Sequence, residues 1–276
     1  MVKKKAFTLI ELLVVIAIIA LLLSILMPSL QAVKKQARNV VCKSNLHQWG
    51  LTWKMYTEDN LGHFPNVDYR VTIADGGDNS NAVRSFWTEC LMPYLGEGTR
   101  GGSIYFCPAA KKKPADGTYA DDEFTSFSVA RMRAELGDPE PKRASYGINC
   151  WVYGGYGNAT DRVNSWVKEG AANNARNIPV LLDSKWRGGR PRETDPPLVS
   201  GDINCNPTGV ILNGEPATVG EMTWFQMKRH KHGINAVFLD TSIRSLEPKE
   251  LWTLKWHKTF GTKYGEANLT WKDWMD

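Results

Sequence analysis

The chain has 276 residues, 42% of them hydrophobic and 23% charged, and a formal net charge of +5. Residues 61–276 alone are enough for one domain with a sizeable core. Three of the excess positive charges, Lys3, Lys4 and Lys5, sit in a stub ahead of the first apolar run, and without them the balance falls to +2. Nucleic-acid affinity rests mainly on neutralising phosphates, so a charge this close to zero argues against that class of partner.

The stub leads directly into FTLIELLVVIAIIALLLSILM, Phe7 to Met27. About 20 apolar residues make a helix of roughly 30 Å, enough to cross a bilayer core. Glu11 lies one turn inside this run, where a charge costs roughly 2.5–3.5 kcal/mol on insertion scales and marks a functional position. A secretory signal has an apolar core of about 7–15 residues followed by a small-x-small cleavage site. Here the core is longer, and the small residue, Ala6, comes before it. Cutting between Ala6 and Phe7 removes the lysines and keeps the helix. A simple membrane anchor is the other reading of the hydropathy.

The stretch KKKAFTLIELLVVIAIIALLLSILMPSL resembles the amino terminus of the type IV pilin and type II secretion pseudopilin superfamily. The resemblance implies cleavage by a prepilin peptidase after Ala6, where the family usually has Gly, and methylation of the new amino group on Phe7. It also implies an assembly role for Glu11. Pro28 falls where the family often bends its helix. A carboxylate at Glu11 can pair with the amine of its own or a neighbouring subunit, since opposite charges attract strongly in low dielectric.

Beyond Pro28, Leu30, Val33, Ala37, Val40, Val41, Leu46, Trp49, Trp53 and Tyr56 recur at three- and four-residue spacing, with Lys34, Lys35, Gln36, Arg38, Lys43 and Lys54 mostly opposite. This predicts an amphipathic continuation ending near Asp59-Asn60, giving a rod of about 75 Å from Phe7 to Glu58. Its first half is expected in lipid and its second half on a globular domain. The expected organisation is a basic leader at 1–6, a membrane-spanning assembly helix at 7–28, an amphipathic continuation at 29–60 and an exported domain at 61–276.

Within that domain, Arg84–Leu95 reads as a helix with Trp87, Leu91 and Leu95 on one side. Candidate strands are Ile104–Cys107, Ala144–Cys150, Pro179–Asp183, Val210–Leu212, Ala236–Leu239 and Ile243–Leu246, set among turn-rich stretches. One long helix followed by such segments predicts an α+β, pilin-like fold with a mainly antiparallel sheet.

Five cysteines, Cys42, Cys90, Cys107, Cys150 and Cys205, show no paired C-x-x-C zinc pattern. One or two disulfides suit an oxidising compartment, and the spacing does not determine their pairing. No G-x-S-x-G, P-loop, H-E-x-x-H or strand-following G-x-G-x-x-G is present, so no catalytic residues are assigned. A membrane-tethered hydrolase is the enzyme-class alternative. A second alternative is a filament-tip or surface adhesin that stacks sugars on Trp151, Trp166 and Trp186 beside Gly-rich loops.

CKSNLHQWGLTWKMYTEDNLGHFP, Cys42 to Pro65, is similar to the end of the long helix in a large group resembling the major pseudopilin of type II secretion. Many members of that group carry His, nine residues, then Asp-Gly near the C-terminus. Here His230 and Asp240 stand at that spacing, but Thr241 replaces the glycine. Asp240 is expected in a tight turn and His230 bracing a loop at the hairpin's open end. A zinc site from His230, His232 and Asp240 is the sharper alternative.

The resemblance also allows calcium binding, for which ADGGDNSN (Asp75, Asp78, Asn79) and YADDEF (Asp121, Asp122, Glu123) are the nearest acidic stretches. No cofactor is expected and no metal ligands are assigned. The implied partners are a prepilin peptidase, other pilin or pseudopilin subunits and an inner-membrane assembly platform. Lys3–Lys5 place the leader in the cytoplasm and the head in the periplasm, before incorporation into a periplasmic or surface filament.

Overall fold

A computed structural model describes residues 8–65, 87–95, 103–110, 126–128, 143–152, 159–197, 211–212, 215–216, 220–225, 227–230 and 233–261. The long helix α1 spans Leu9–Asp59 without interruption, with Pro28 inside it. It ends where the sequence predicts. The backbone N–H of Gly62 donates to Thr57 O at 2.7 Å, satisfying a terminal carbonyl, and Leu61 and Gly62 both take positive φ.

Only the last third of α1 docks. Cys42, Asn45, Leu46, Trp49, Gly50, Thr52, Trp53 and Thr57 form its buried stripe. Leu30, Val33, Val40 and Val41, expected on the domain, are exposed together with the whole apolar run from Leu9 to Met27. The periodicity of residues 30–41 is real, but among the described residues the head covers none of Leu30, Val33, Val40 and Val41.

The remaining elements are short. Helix α2 is Trp87–Leu91, followed by a 3-10 turn at Met92–Tyr94. Trp87, Leu91 and Leu95 are all buried as expected, while Arg84 to Phe86 lie outside the described residues. Ile104–Cys107 is not a strand: Ser103–Tyr105 forms a 3-10 turn whose Ile104 carbonyl accepts the Trp49 indole N–H at 2.9 Å. Strands β1 (Phe127–Ser128) and β2 (Arg143–Ala144) make a small antiparallel ribbon. β3 is Tyr146–Asn149, and the predicted strand end at Cys150 is instead the start of a 3-10 turn.

Helix α3 (Ala159–Asn164) precedes β4 (Pro179–Asp183) and β5 (Gly188–Gly189). A second ribbon pairs β6 (Ile211–Leu212) with β7 (Glu215–Pro216). The chain then forms β8 (Ile234–Phe238), a residue or two earlier than the sequence suggests, and β9 (Ile243–Leu246).

The central sheet has the order β5-β3-β4-β8-β9, antiparallel except for the β3–β5 pair. β4 reads PVLLD and is buried at every residue, as is β8. Strands without alternation are covered on both faces. Helix α1 lies on one face, against β8, β4 and β9. Pro179 is tolerated in a central strand because it is the first residue and the register shifts between it and Leu181.

Tryptophan supplies what the short strands do not. Trp49, Trp53, Trp87, Trp151, Trp166, Trp224, Trp252 and Trp256 are all buried. Four of their indole N–H groups tie distant turns of the head together: Trp87 donates to Arg187 O (3.1 Å), Trp151 to Pro191 O (2.8 Å), Trp166 to Trp256 O (3.0 Å) and Trp252 to Asp195 O (3.0 Å). A large apolar ring with one donor can fill a loop-rich core and satisfy a loop carbonyl at once.

Two backbone positions give opposite predictions. Gly50 faces β8 so closely that an added Cβ would stand 2.7 Å from Val237 Cγ2. Alanine would be favoured in an isolated helix by about 1 kcal/mol. The overlap costs about 1–3 kcal/mol, so Gly50→Ala should lower the midpoint of thermal unfolding. Thr241, in the β8–β9 turn, has φ +67°, a left-handed conformation that penalises a β-branched residue. Thr241→Gly should stabilise the head by about 1 kcal/mol, read as a raised midpoint in chemical denaturation.

Candidate functional site

The amino-terminal end of α1 is built by a reciprocal cap. Thr8 Oγ1 accepts the Glu11 backbone N–H at 3.3 Å, while Glu11 Oε2 accepts the Thr8 N–H and hydroxyl, each at 2.8 Å. This capping box starts the helix at Leu9 and holds the Glu11 carboxylate back toward the chain's beginning. The sequence reading missed it, although T-x-x-E ahead of an apolar run is its local signature. Ala6 and Phe7 lie outside the described residues. From Leu9 to Met27 the helix exposes an almost continuous apolar surface, and its most apolar 18-residue window, with a mean hydropathy of 3.2, is wholly unburied.

Where α1 meets the head, four segments converge on a second, buried centre. α1 supplies Cys42, the turn after Tyr105 supplies Cys107, the end of β4 supplies Asp183, and the approach to β8 supplies Arg229 and His230. Asp183 is fully enclosed. Its Oδ1 accepts from Arg229 at 2.9 Å, and its Oδ2 accepts the Asn235 backbone N–H at 2.9 Å and faces His230 Nε2 at 3.2 Å. Arg229 also donates to the carbonyls of Ser145 (2.8 Å) and Ser184 (3.0 Å). Cys107 Sγ is 3.3 Å from His230 Nε2, and Cys42 Sγ is 3.7 Å from both Asp183 oxygens. The Tyr146 hydroxyl lies 3.4 Å from Cys42 Sγ.

These contacts set the charges. Burial works to raise Asp183, but the Arg229 charge and the hydrogen bonds from His230 and Asn235 outweigh it and hold the carboxyl down at about 2. Burial opposes a charged His230, yet its bonds to Asp183 and Cys107 lift it to about 9. Cys107 is likewise disfavoured as a thiolate by burial, and hydrogen bonds from Cys42 and His230 with the Arg229 charge bring it down to about 6. Cys42 is pushed well up, chiefly by burial, and stays a thiol. Carboxylate, guanidinium, imidazolium and thiolate then sum to zero, the condition under which charges tolerate a dry interior.

Cysteine, histidine and aspartate together resemble a nucleophilic triad, but the geometry does not support one. Asp183 and Cys107 share the same ring nitrogen, Nε2, so the carboxylate does not orient the imidazole through its other nitrogen. Cys107 and Cys42 are 0% exposed, which leaves a substrate no approach.

His230 thus works in the core and does not merely brace a loop, although its backbone does pair with Gly233. Asp240 is in the expected turn, with Oδ1 accepting the Ser242 N–H (3.0 Å) and hydroxyl (2.6 Å). It stands at the far end of β8 from His230, so the two do not form a joint site, and His232 lies outside the described residues. Asp75, Asp78, Asn79, Asp121, Asp122 and Glu123 also lie outside them. Cys42, Cys107 and Cys150 are not in disulfides, and Cys205 is beyond the described residues. The convergence of Cys42, Cys107, Asp183 and His230 was not legible because no two of them are neighbours in the chain. One available sign was Asp183 closing an otherwise apolar strand.

Of the proposed stacking residues, Trp151 and Trp166 are buried and Trp186 is half-buried against the core. None of the three offers a free ring face comparable to the exposed apolar surface of α1.

Comparison with known proteins agrees with this layout. Residues 1–27 match the model of the prokaryotic N-terminal methylation motif. The chain is 33% identical over 109 residues to the type IV wide pilus major component PilA4 of Thermus thermophilus, an alignment covering 39% of this chain and 83% of that protein. No solved structure matches the chain significantly. A long apolar helix docked by its last third on a mostly antiparallel sheet, a methylation motif at its start and this relative together show that the chain belongs to the type IV pilin and pseudopilin superfamily.

Proposed function

We propose that the protein is a structural subunit of a type IV pilus-like or secretion-pseudopilus filament, made as a precursor and assembled through α1. The observation that carries this reading is the apolar surface from Leu9 to Met27, which has no partner within the described residues of the chain. A patch this large marks a membrane or protein interface. Before assembly, lipid covers Leu9 to Met27; afterwards, the same residues pack on the helices of neighbouring subunits. Contacts of this head-to-tail kind do not close on themselves, which is the geometry of a filament.

Maturation cuts between Ala6 and Phe7 and methylates the Phe7 amine. Lys3–Lys5 hold the leader in the cytoplasm and leave the head on the periplasmic side. In the assembled state the Glu11 carboxylate exchanges its Thr8 bonds for the amine of a neighbour, so the cap seen here keeps a costly charge satisfied until a partner arrives. The protein itself carries out no chemistry: prepilin peptidase processes it and a separate assembly machine moves it. Burial of Trp151 and Trp166 supports a structural head over a carbohydrate-stacking one.

Mass spectrometry of the protein recovered from cells should find a methylated Phe7 at the N-terminus. An intact Met1, or a start after Pro28, would overturn the reading. Glu11→Val should be processed as efficiently as the parent but fall at least tenfold in sheared filament fractions. Normal incorporation of that variant would remove the assembly role of the carboxylate.

A further inference from the structure

The buried centre beneath α1 has the composition and spacing of a metal site. One donor atom from each of Cys42, Cys107, Asp183 and His230 lies within 4.8 Å of all the others, and all four residues are buried. A tetrahedral zinc has bonds of about 2.3 Å to sulfur and about 2.0–2.1 Å to nitrogen and oxygen, which puts its ligand atoms about 3.3–3.8 Å from one another. The separations here are 3.3 Å for Cys107 Sγ to His230 Nε2, 3.2 Å for His230 Nε2 to Asp183 Oδ2, and 3.7 Å for Cys42 Sγ to either Asp183 oxygen. Hydrogen bonding accounts for each pair separately. Two soft thiols, one borderline imidazole and one carboxylate from four separate segments meet within 4.8 Å of one another, the set and spacing that a single tetrahedral ion would use.

We propose that Cys42, Cys107, His230 and Asp183 bind one structural zinc ion that fastens the assembly helix to the head. The donor set suits zinc, since two thiolates and an imidazole select against calcium and magnesium. Closed four-ligand sites of this kind are structural. The surroundings complete it. Arg229 holds Asp183 Oδ1 at 2.9 Å and the Asn235 N–H holds Oδ2 at 2.9 Å, the outer-shell support that ligating carboxylates need. Zinc with two thiolates and one carboxylate carries a single negative charge, which the Arg229 guanidinium balances. Binding releases the Cys42 proton and the proton shared by Cys107 and His230, with no change of oxidation state.

A disulfide between Cys42 and Cys107 is the competing fate of the two sulfurs in an oxidising compartment. It would use two of the four converging donors and leave His230 paired only with Asp183, which Arg229 and the Asn235 N–H already hold.

The test uses the full chain extracted in detergent, freed of loosely held metal and analysed by inductively coupled plasma mass spectrometry. About one zinc per chain is expected, falling at least tenfold in Cys42→Ser, Cys107→Ser and His230→Ala. Those variants alter the core, so the parent protein supplies an independent reading. After chelation and reloading with cobalt(II), it should show thiolate-to-cobalt charge transfer and the intense visible bands of a tetrahedral ion. A metal-free parent overturns the proposal, whether Cys42 and Cys107 are recovered as a linked peptide or as two freely alkylated thiols. A six-coordinate cobalt spectrum, or zinc retained in folded variants, would overturn it too.

Discussion

Asp183 and Arg229 are both withdrawn from solvent, and removing such charges from water costs several kcal/mol per ion unless each finds well-placed partners. They find them only when four segments are in place at once: the end of β4, the turn before β8, the Ser145 and Ser184 carbonyls, and α1 with its Cys42. A displaced helix or a slipped strand would leave a buried charge without compensation. The pair therefore acts chiefly by penalising every other arrangement of the head. The close approach of Gly50 to Val237 lets α1 sit near enough to share in it.

The head otherwise has little regular structure to hold it, and its stability rests on a few extended contacts. β4 and β8 form the only two fully buried five-residue strands among the described elements. Around them, tryptophan rings fill the space between turns, and the N–H groups of Trp49, Trp151, Trp166 and Trp252 satisfy loop carbonyls. The aromatic richness, which on sequence alone admits a sugar-binding reading, is thereby put to internal use. The docking face of α1 is part of the same network, because Trp49 packs edge-on against both Trp87 and Tyr105.

The two ends of α1 have opposite physical requirements. Cys42 to Thr57 must match one particular surface, so glycine, tryptophan and polar residues appear at fixed places. In the proposed filament, Leu9 to Met27 serve first lipid and then neighbouring copies, and a broad apolar surface suits both. Glu11 is the exception, and the Thr8 cap shows how a lone carboxylate is kept satisfied while the helix stands alone.

Much of this was readable from local pattern. Side-chain periodicity and turn chemistry are properties of adjacent residues, so the apolar helix, its end at Asn60, the strands Pro179–Asp183 and Ile243–Leu246 and the turn at Asp240 could be assigned without a fold. What the tertiary structure alone decided depends on residues far apart in the chain. The docked stripe begins at Cys42 and not at Leu30, because the described elements of the head pack on α1 only from that point on. Ser103–Tyr105 is a turn rather than a strand, and its Ile104 carbonyl accepts from Trp49, 55 residues away in the chain. Cys42, Cys107, Asp183 and His230 form one centre because the sheet order brings β4 beside β8 beneath α1, and burial there compels polar groups from distant segments to satisfy one another.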